Sequence, residues 1–195
     1  MVMVDIETLG TADDAVILEV GAVCFGPNGV MGPFFSVVVD FLGQPTRRIE
    51  GDTLGWWMRP EHRAGLERLL GGGEDPEEQV DLWHALNELA AFMRENLEVD
   101  GEVWANGDFD TRILGHAFKA EGVDVPWEFW QVRELRSVLK FCGVTRPREA
   151  TAHRALVDAM AQVQQYAEAR KRVRSENADV DASADNATPK QNPTP

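Results

Sequence analysis

Three short apolar runs fall within the first 39 residues, and they constrain the fold more than any other feature of the chain. Residues 1–7 (MVMVDIE), 15–25 (AVILEVGAVCF) and 34–39 (FFSVVV) are rich in Val and Ile, whose branched side chains pack well on a pleated surface. Gly, Pro and Asn punctuate the spaces between them, so the runs read as three strands of an antiparallel meander. The pattern then turns helical. Residues 62–70 form a short candidate helix, which GGGEDP interrupts. Asp75-Pro76-Glu77-Glu78 offers an N-cap, a first-turn proline and two acids at the positive end of the next helix. That helix runs to about Asn96, with Leu82, Leu86, Leu89 and Met93 on one face. Residues 102–105 (EVWA) read as a strand, and 109–121 as a helix with Ile113, Leu114, Ala117 and Phe118 inward. Helices over 133–141 and from 151 to about 174 complete the body. Strands first, then helices alternating with short strands, predict one α/β domain built on a mixed β-sheet flanked by helices.

That domain, 1–174, is long enough to close a core without disulfides or structural metal. Residues 175–195 hold three prolines and a single large apolar residue, Val180, and are read as a disordered tail. The whole chain carries 33 acidic against 19 basic residues, a net charge of −14. The tail contributes only −3 of it, from Glu176, Asp179, Asp181 and Asp185 against Lys190. Such a balance argues against a basic protein that coats nucleic acid and against a polybasic membrane binder. The N-terminus lacks a basic segment followed by an apolar one, and no apolar stretch approaches the ~18–20 residues needed to span a bilayer. Cys24 and Cys142 have no CxxC spacing and read as reduced thiols of a cytoplasmic protein.

Three acidic clusters stand out against this background. Asp5-Ile6-Glu7 ends the first strand, where alternation puts the two carboxylates on one face and Ile6 on the other. A lone DxE is common, and two solvated charges at a strand end would look the same. In Trp104-Ala105-Asn106-Gly107-Asp108-Phe109-Asp110, a strand turns into a helix. Asp108 is placed to cap that helix, which leaves Asp110 to face a ligand at the carboxyl end of the sheet. The third cluster is His153-Arg154-Ala155-Leu156-Val157-Asp158. Five residues along an α-helix turn about 140° beyond a full revolution, so His153 and Asp158 meet only if His153 sits at the helix start, before regular geometry begins.

In the order DxE, Asp, His-x4-Asp, the chain resembles the DEDDh 3′–5′ exonucleases of the ribonuclease H-like superfamily. The residues that carry the resemblance are DIET at 5–8, NGDFD at 106–110 and HRALVD at 153–158. TLGWWMRPEHRAGLERLL at 53–70 further resembles a bacterial and phage branch that includes mycobacterial-type exoribonucleases and phage exodeoxyribonucleases. The additional acid Asp108 departs from the pattern of the second motif.

The resemblance implies that Asp5, Glu7, Asp110 and Asp158 bind two Mg²⁺ or Mn²⁺ ions, and oxygen ligands do favour such hard cations. Two ions about 4 Å apart would activate a water and stabilise the leaving 3′-oxygen, with His153 as general base. It also implies substrate contacts at Thr8 and Leu9, with Leu9 wedged against the last base, and a homodimer. Asn106 belongs to the second motif and is a candidate substrate contact. Phe109 and one of the adjacent Trp56 and Trp57 are candidate stacking faces for a base. Trp83 and Trp104 are assigned to the core, and His62, His84 and His116 to no site. Positive charge at a helix C-terminus accounts for Arg170-Lys171-Arg172-Val173-Arg174. Arg133, Arg136, Arg146 and Arg148 are further candidate backbone contacts.

The implied activity is removal of nucleoside 5′-monophosphates from the 3′ ends of single-stranded DNA or RNA, or from 3′ overhangs. Two alternatives stand beside it: a structure-specific endonuclease of the same superfamily, and an inactive nucleic-acid-binding module. DNA and RNA are not distinguished, because the contacts that sense a 2′-hydroxyl follow no linear motif.

Overall fold

The computed structural model describes residues 1–71, 78–145 and 153–186. Three strands, β1 (Val2–Thr8), β2 (Ile17–Phe25) and β3 (Met31–Val39), form the antiparallel meander. Two helices follow, α1 (Gly51–Trp57) and α2 (Pro60–Leu69), then the two-residue strand β4 (Gln79–Val80). Next come α3 (Leu82–Asn96), β5 (Val103–Ala105), α4 (Phe109–Ala120), β6 (Val132–Glu134), α5 (Leu135–Phe141) and α6 (Ala155–Asn186). The sheet order is β4-β3-β2-β1-β5-β6. β4, β5 and β6 run parallel to their neighbours, which makes the sheet mixed.

Alternation along β1 sorts its residues between two layers. Val2, Val4 and Ile6 join Val20 and Ala22 against α3 and α4, in the core that contains Leu86, Leu89, Met93, Ile113, Leu114 and Phe118. Met3, from the opposite face, joins Val23, Phe25 and Trp104 against α5 and α6, where Leu135, Leu139, Ala159, Val163 and Tyr166 are buried. A third apolar cluster, with Leu9, Leu18, Trp57, Leu66 and Leu69, seats α1 and α2 beyond the end of β1.

Several boundaries differ from the sequence reading, each for a physical reason. β3 begins at Met31, because Met31-Gly-Pro continues the ladder to Phe25 through an irregularity in β2. α3 starts at Leu82 with Asp81 as its cap, whose carboxylate accepts the backbone N–H of His84; Asp75–Glu77, the expected start, lie outside the described residues. The segment 133–141 divides into β6 and α5, because Glu134 ends the strand and caps the helix by accepting the N–H groups of Arg136 and Ser137. Trp83 lies on the outer face of α3 and is half exposed rather than core.

α6 runs on to Asn186, through the first twelve residues of the expected tail. No Pro or Gly occurs between Ala155 and Asn186 to break it, and extending an existing helix is far easier than starting one. The basic run 170–174 is therefore mid-helix and not at a C-terminus: Arg170 donates to the Tyr166 hydroxyl and Arg172 to the Gly143 carbonyl and Glu168. Arg146, Arg148 and residues 187–195 lie outside the described residues. No described helix is long and apolar enough to cross a membrane.

One contact sets the distance between α6 and the sheet. Gly21, opposite Asp5 in the β1–β2 pair, lies so close to α6 that an added Cβ would stand 2.2 Å from the Leu156 nitrogen. Backbone cannot yield as a side chain can, so Gly21→Ala should push α6 off the sheet. We expect a destabilisation of roughly 3 kcal/mol, read as an early chemical-denaturation midpoint, where overpacking usually costs about 1–3 kcal/mol.

Candidate active site

The site is built where the first turns of α6 cross the carboxyl end of β1. Asp5 and Glu7 share the β1 face that meets α6, opposite the apolar stripe of Val4 and Ile6. His153 precedes α6 with φ 45°, the left-handed region that few non-glycine residues occupy. This bend is how the five-residue spacing is overcome, because His153 is not on the helix at all. One ligand atom from each of Glu7, His153 and Asp158 lies within 4.8 Å of the others. One turn beyond Asp158, Gln162 donates through Nε2 to Asp5 Oδ1 at 2.6 Å.

Asp110 arrives from the other side. β5 pairs with β1 only at Val2 and Met3, so the Ile6 N–H further along that edge has no strand partner. Asp110, in the first turn of α4, fills the gap by accepting that N–H at 3.1 Å and is itself buried. Asp108 does occupy the N-cap position of α4, but its carboxylate makes no capping bond and stands exposed near Arg112. The Asn106 carbonyl accepts from Arg136 Nη2.

The electrostatics follow from crowding acids in a partly buried space. Burial pushes Asp5 well above the usual carboxylate range, and the charges of Asp110, Glu7 and Asp158 push it further. Glu7 is raised from 4.5 to about 8, chiefly by burial and then by Asp158, Glu19 and Asp110, against the pull of Arg68. Burial raises Asp110 to about 7 despite the Ile6 hydrogen bond. His153 is shifted the other way, held below its ordinary value by burial and by His62.

Other expected contacts sit differently. Trp57 is buried, and its Nε1–H donates to the Thr8 carbonyl at 2.8 Å, so it braces the end of β1 and offers no face to a base. Trp56 is the partly exposed member of the pair and stacks on His62 at 3.9 Å between ring centroids. Leu9 is buried in the cluster around Trp57, so its side chain forms no wedge. Thr8 is buried too and donates its hydroxyl to the Gly10 carbonyl. Phe109 is half-buried against the α3–α4 core.

Sequence reasoning passed over Glu19, Arg68, His62 and Gln162. Glu19 faces Glu7 across the β1–β2 pair and is buried. It is gripped by Arg68 at 2.8 Å and accepts the Ala155 N–H at 3.0 Å. One signal was available: an acid inside the otherwise apolar AVILEVGAVCF needs a buried partner.

The fold is thus α/β: a mixed sheet in this order, flanked by helices on both faces, with four acids and a histidine where α6 crosses β1. The chain belongs to the Rv2179c-like 3′–5′ exoribonuclease domain family, which it matches over residues 1–170. A search among curated proteins returned no significant sequence match. Among solved structures, Escherichia coli exonuclease I in complex with a dT13 oligonucleotide superposes with a TM-score of 0.62 at 12% identity, over 88% of this chain and 41% of that one. Its zinc-bound complex with single-stranded DNA gives 0.63 at 13%, over 88% and 40%. The nuclease domain of 3′hExo, a DEDDh family member bound to rAMP, gives 0.56 at 12%, over 87% and 90%. This chain thus spans about two fifths of the length of exonuclease I.

The raised pKa values have a consequence for stability. A carboxyl with a higher pKa folded than unfolded binds protons that the unfolded chain would release. Its favourable share is full below the unfolded value and is lost as pH rises through the folded one. Without divalent cation, the melting temperature should therefore fall between about pH 4.5 and about 8, the window set by Glu7. Glu7→Gln should flatten that slope, and Mg²⁺ or Mn²⁺ at pH 8 should raise the wild-type melting temperature. An EDTA-insensitive melting curve at pH 8 would contradict the site.

Proposed function

We propose that this chain is a metal-dependent 3′–5′ exonuclease, with 1–174 as its catalytic domain. In this reading it removes nucleoside 5′-monophosphates from the 3′ ends of single-stranded nucleic acid or 3′ overhangs. The observation that carries the reading is the convergence of Asp5, Glu7, Asp110, Asp158 and His153 from three distant segments. Carboxylates raised by burial and then by one another's charge suit multivalent cations, and the donor atoms of Glu7, His153 and Asp158 are already within 4.8 Å of each other. Asp5, Glu7, Asp110 and Asp158 would hold two Mg²⁺ or Mn²⁺ ions. When bound, such ions lower the pKa of a water and offset charge on the leaving oxygen. Burial and then His62 hold the His153 pKa below its ordinary value, which favours the neutral ring whose nitrogen can take the proton of the attacking water. Gln162 fixes the Asp5 carboxylate, and the Ile6 N–H fixes that of Asp110.

Trp56 replaces Trp57 as the stacking candidate near the site, since its ring lies 4.9 Å from His153 and keeps an exposed part. RNA is the preferred substrate in this reading, because the family is one of exoribonucleases. A homodimer rests on resemblance alone, and light scattering of the full chain tests it. A cytoplasmic setting accords with Cys24 and Cys142, both free thiols.

The test is digestion of matched 5′-labelled DNA and RNA carrying 3′ overhangs, with Mg²⁺ or Mn²⁺. Stepwise shortening from the 3′ end is expected, faster on RNA; internal fragments would instead identify an endonuclease. His153→Ala should lower kcat by about 10²–10⁴-fold, the usual worth of a general base. Binding without cleavage by the wild type would leave only the inactive module.

A further inference from the structure

We propose that α2, which carries none of the catalytic motifs, is the positioning platform for His153, acting through His62 and the Arg68–Glu19 ion pair. The inference rests on the proposed role of His153 and identifies what holds that residue in place.

Three residues on one side of α2 meet it in succession. The His62 ring stands 4.6 Å from the His153 ring, edge to face, while its other side stacks on Trp56. One turn on, Gly65 leaves room: a Cβ there would come within 3.7 Å of His153 Cβ and 3.3 Å of the Trp57 ring. One turn further, Arg68 Nη2 donates to the His153 carbonyl at 3.2 Å. Arg68 also forks onto Glu19, through Nη2 at 2.8 Å and Nη1 at 3.4 Å. Glu19 in turn accepts the Ala155 N–H. His153 is thus gripped by its ring on one side and by the backbone at and beyond it on the other.

The rings of Trp56 and Trp57 close the box, at 4.9 and 5.5 Å from the His153 ring. A left-handed histidine costs roughly 1–3 kcal/mol and persists only where its surroundings determine it. These contacts are such surroundings. His62 meets His153 through its ring, and its Nδ1 is buried without a hydrogen-bond partner. The arrangement explains why residues far from any carboxylate motif are shaped around this one side chain.

The test uses the full chain with Mg²⁺, in the variants His62→Ala, His62→Phe and the paired Glu19→Gln/Arg68→Gln. The pair avoids leaving a lone buried charge, which would threaten folding. The first readout needs no activity: the His153 ring-proton NMR signals, assigned with His153→Gln. In the wild type, the surrounding rings should displace these signals from free-histidine positions. The displacement should collapse in His62→Ala and in the paired variant and persist in His62→Phe. The second readout is kinetic. His62→Ala and the paired variant should lose about 10- to 100-fold in kcat, as expected for a misplaced catalytic group. KM should stay within about twofold, and His62→Phe should restore kcat.

In a His153→Ala background, the same changes should cost nothing further. Unmoved NMR signals, or an equal loss of kcat in that background, would overturn the proposal. A wild type that cleaves no oligonucleotide, yet shows the NMR behaviour, would refute the exonuclease reading and leave the platform standing. His62→Ala, at a half-buried position, keeps the test decisive if the paired variant fails to fold.

Discussion

The close approach of α6 to β2 at Gly21 sets the depth of the site. Because no side chain separates the helix from the sheet there, Asp158 and Gln162 reach the β1 carboxylates directly. A helix held further away by one methyl group would let water between Asp158 and the β1 acids and weaken the upward shifts of Asp5 and Glu7, to both of which Asp158 contributes. Contact at Gly21 and crowding of acids are therefore one arrangement seen from backbone and side chain. The apolar cluster on the α5–α6 face of the sheet holds α6 against the repulsion this creates.

Two kinds of buried carboxylate sit side by side in consequence. Glu19 has its own cation in Arg68 and accepts a backbone N–H, so its charge is compensated within the protein. Glu7, its cross-strand neighbour, is pushed up to about 8, chiefly by burial, with Arg68 the weakest of the influences on it. Adjacent residues of one chemical type thus differ in charge compensation by which partners reach them.

What the sequence revealed and concealed follows from the range of the interactions involved. Strand alternation is local, so the pairing of Asp5 with Glu7 on one face could be read from three letters. The antiparallel meander and the α4 register were legible for the same reason. His153 and Asp158 were legible only as a condition, because a residue with positive φ before a helix has no fixed sequence signature. Glu19, Arg68 and His62 were hidden because their partners lie 49 to 136 residues away or meet them only through the seating of α2 on the third apolar cluster. Leu9 was assigned to substrate on resemblance and Trp57 was one of two candidate stacking faces, but the cluster around them buries both. The run of polar residues after Arg174 suggested disorder, yet α6 continues through it to Asn186.

The net charge of −14 is thus unevenly spent, with its most costly members gathered at one point. Any ligand that binds the folded chain and not the unfolded one adds to stability by mass action. For a fold whose centre crowds its acids, a divalent cation bound as the proposed function requires would be a structural tenant as well as a reagent. Free cation concentration would govern how much of the protein survives quality control, since a change of about 1–2 kcal/mol can alter cellular abundance several-fold. Scarcity would remove the enzyme through turnover, where a preformed and comfortable site would merely fall idle.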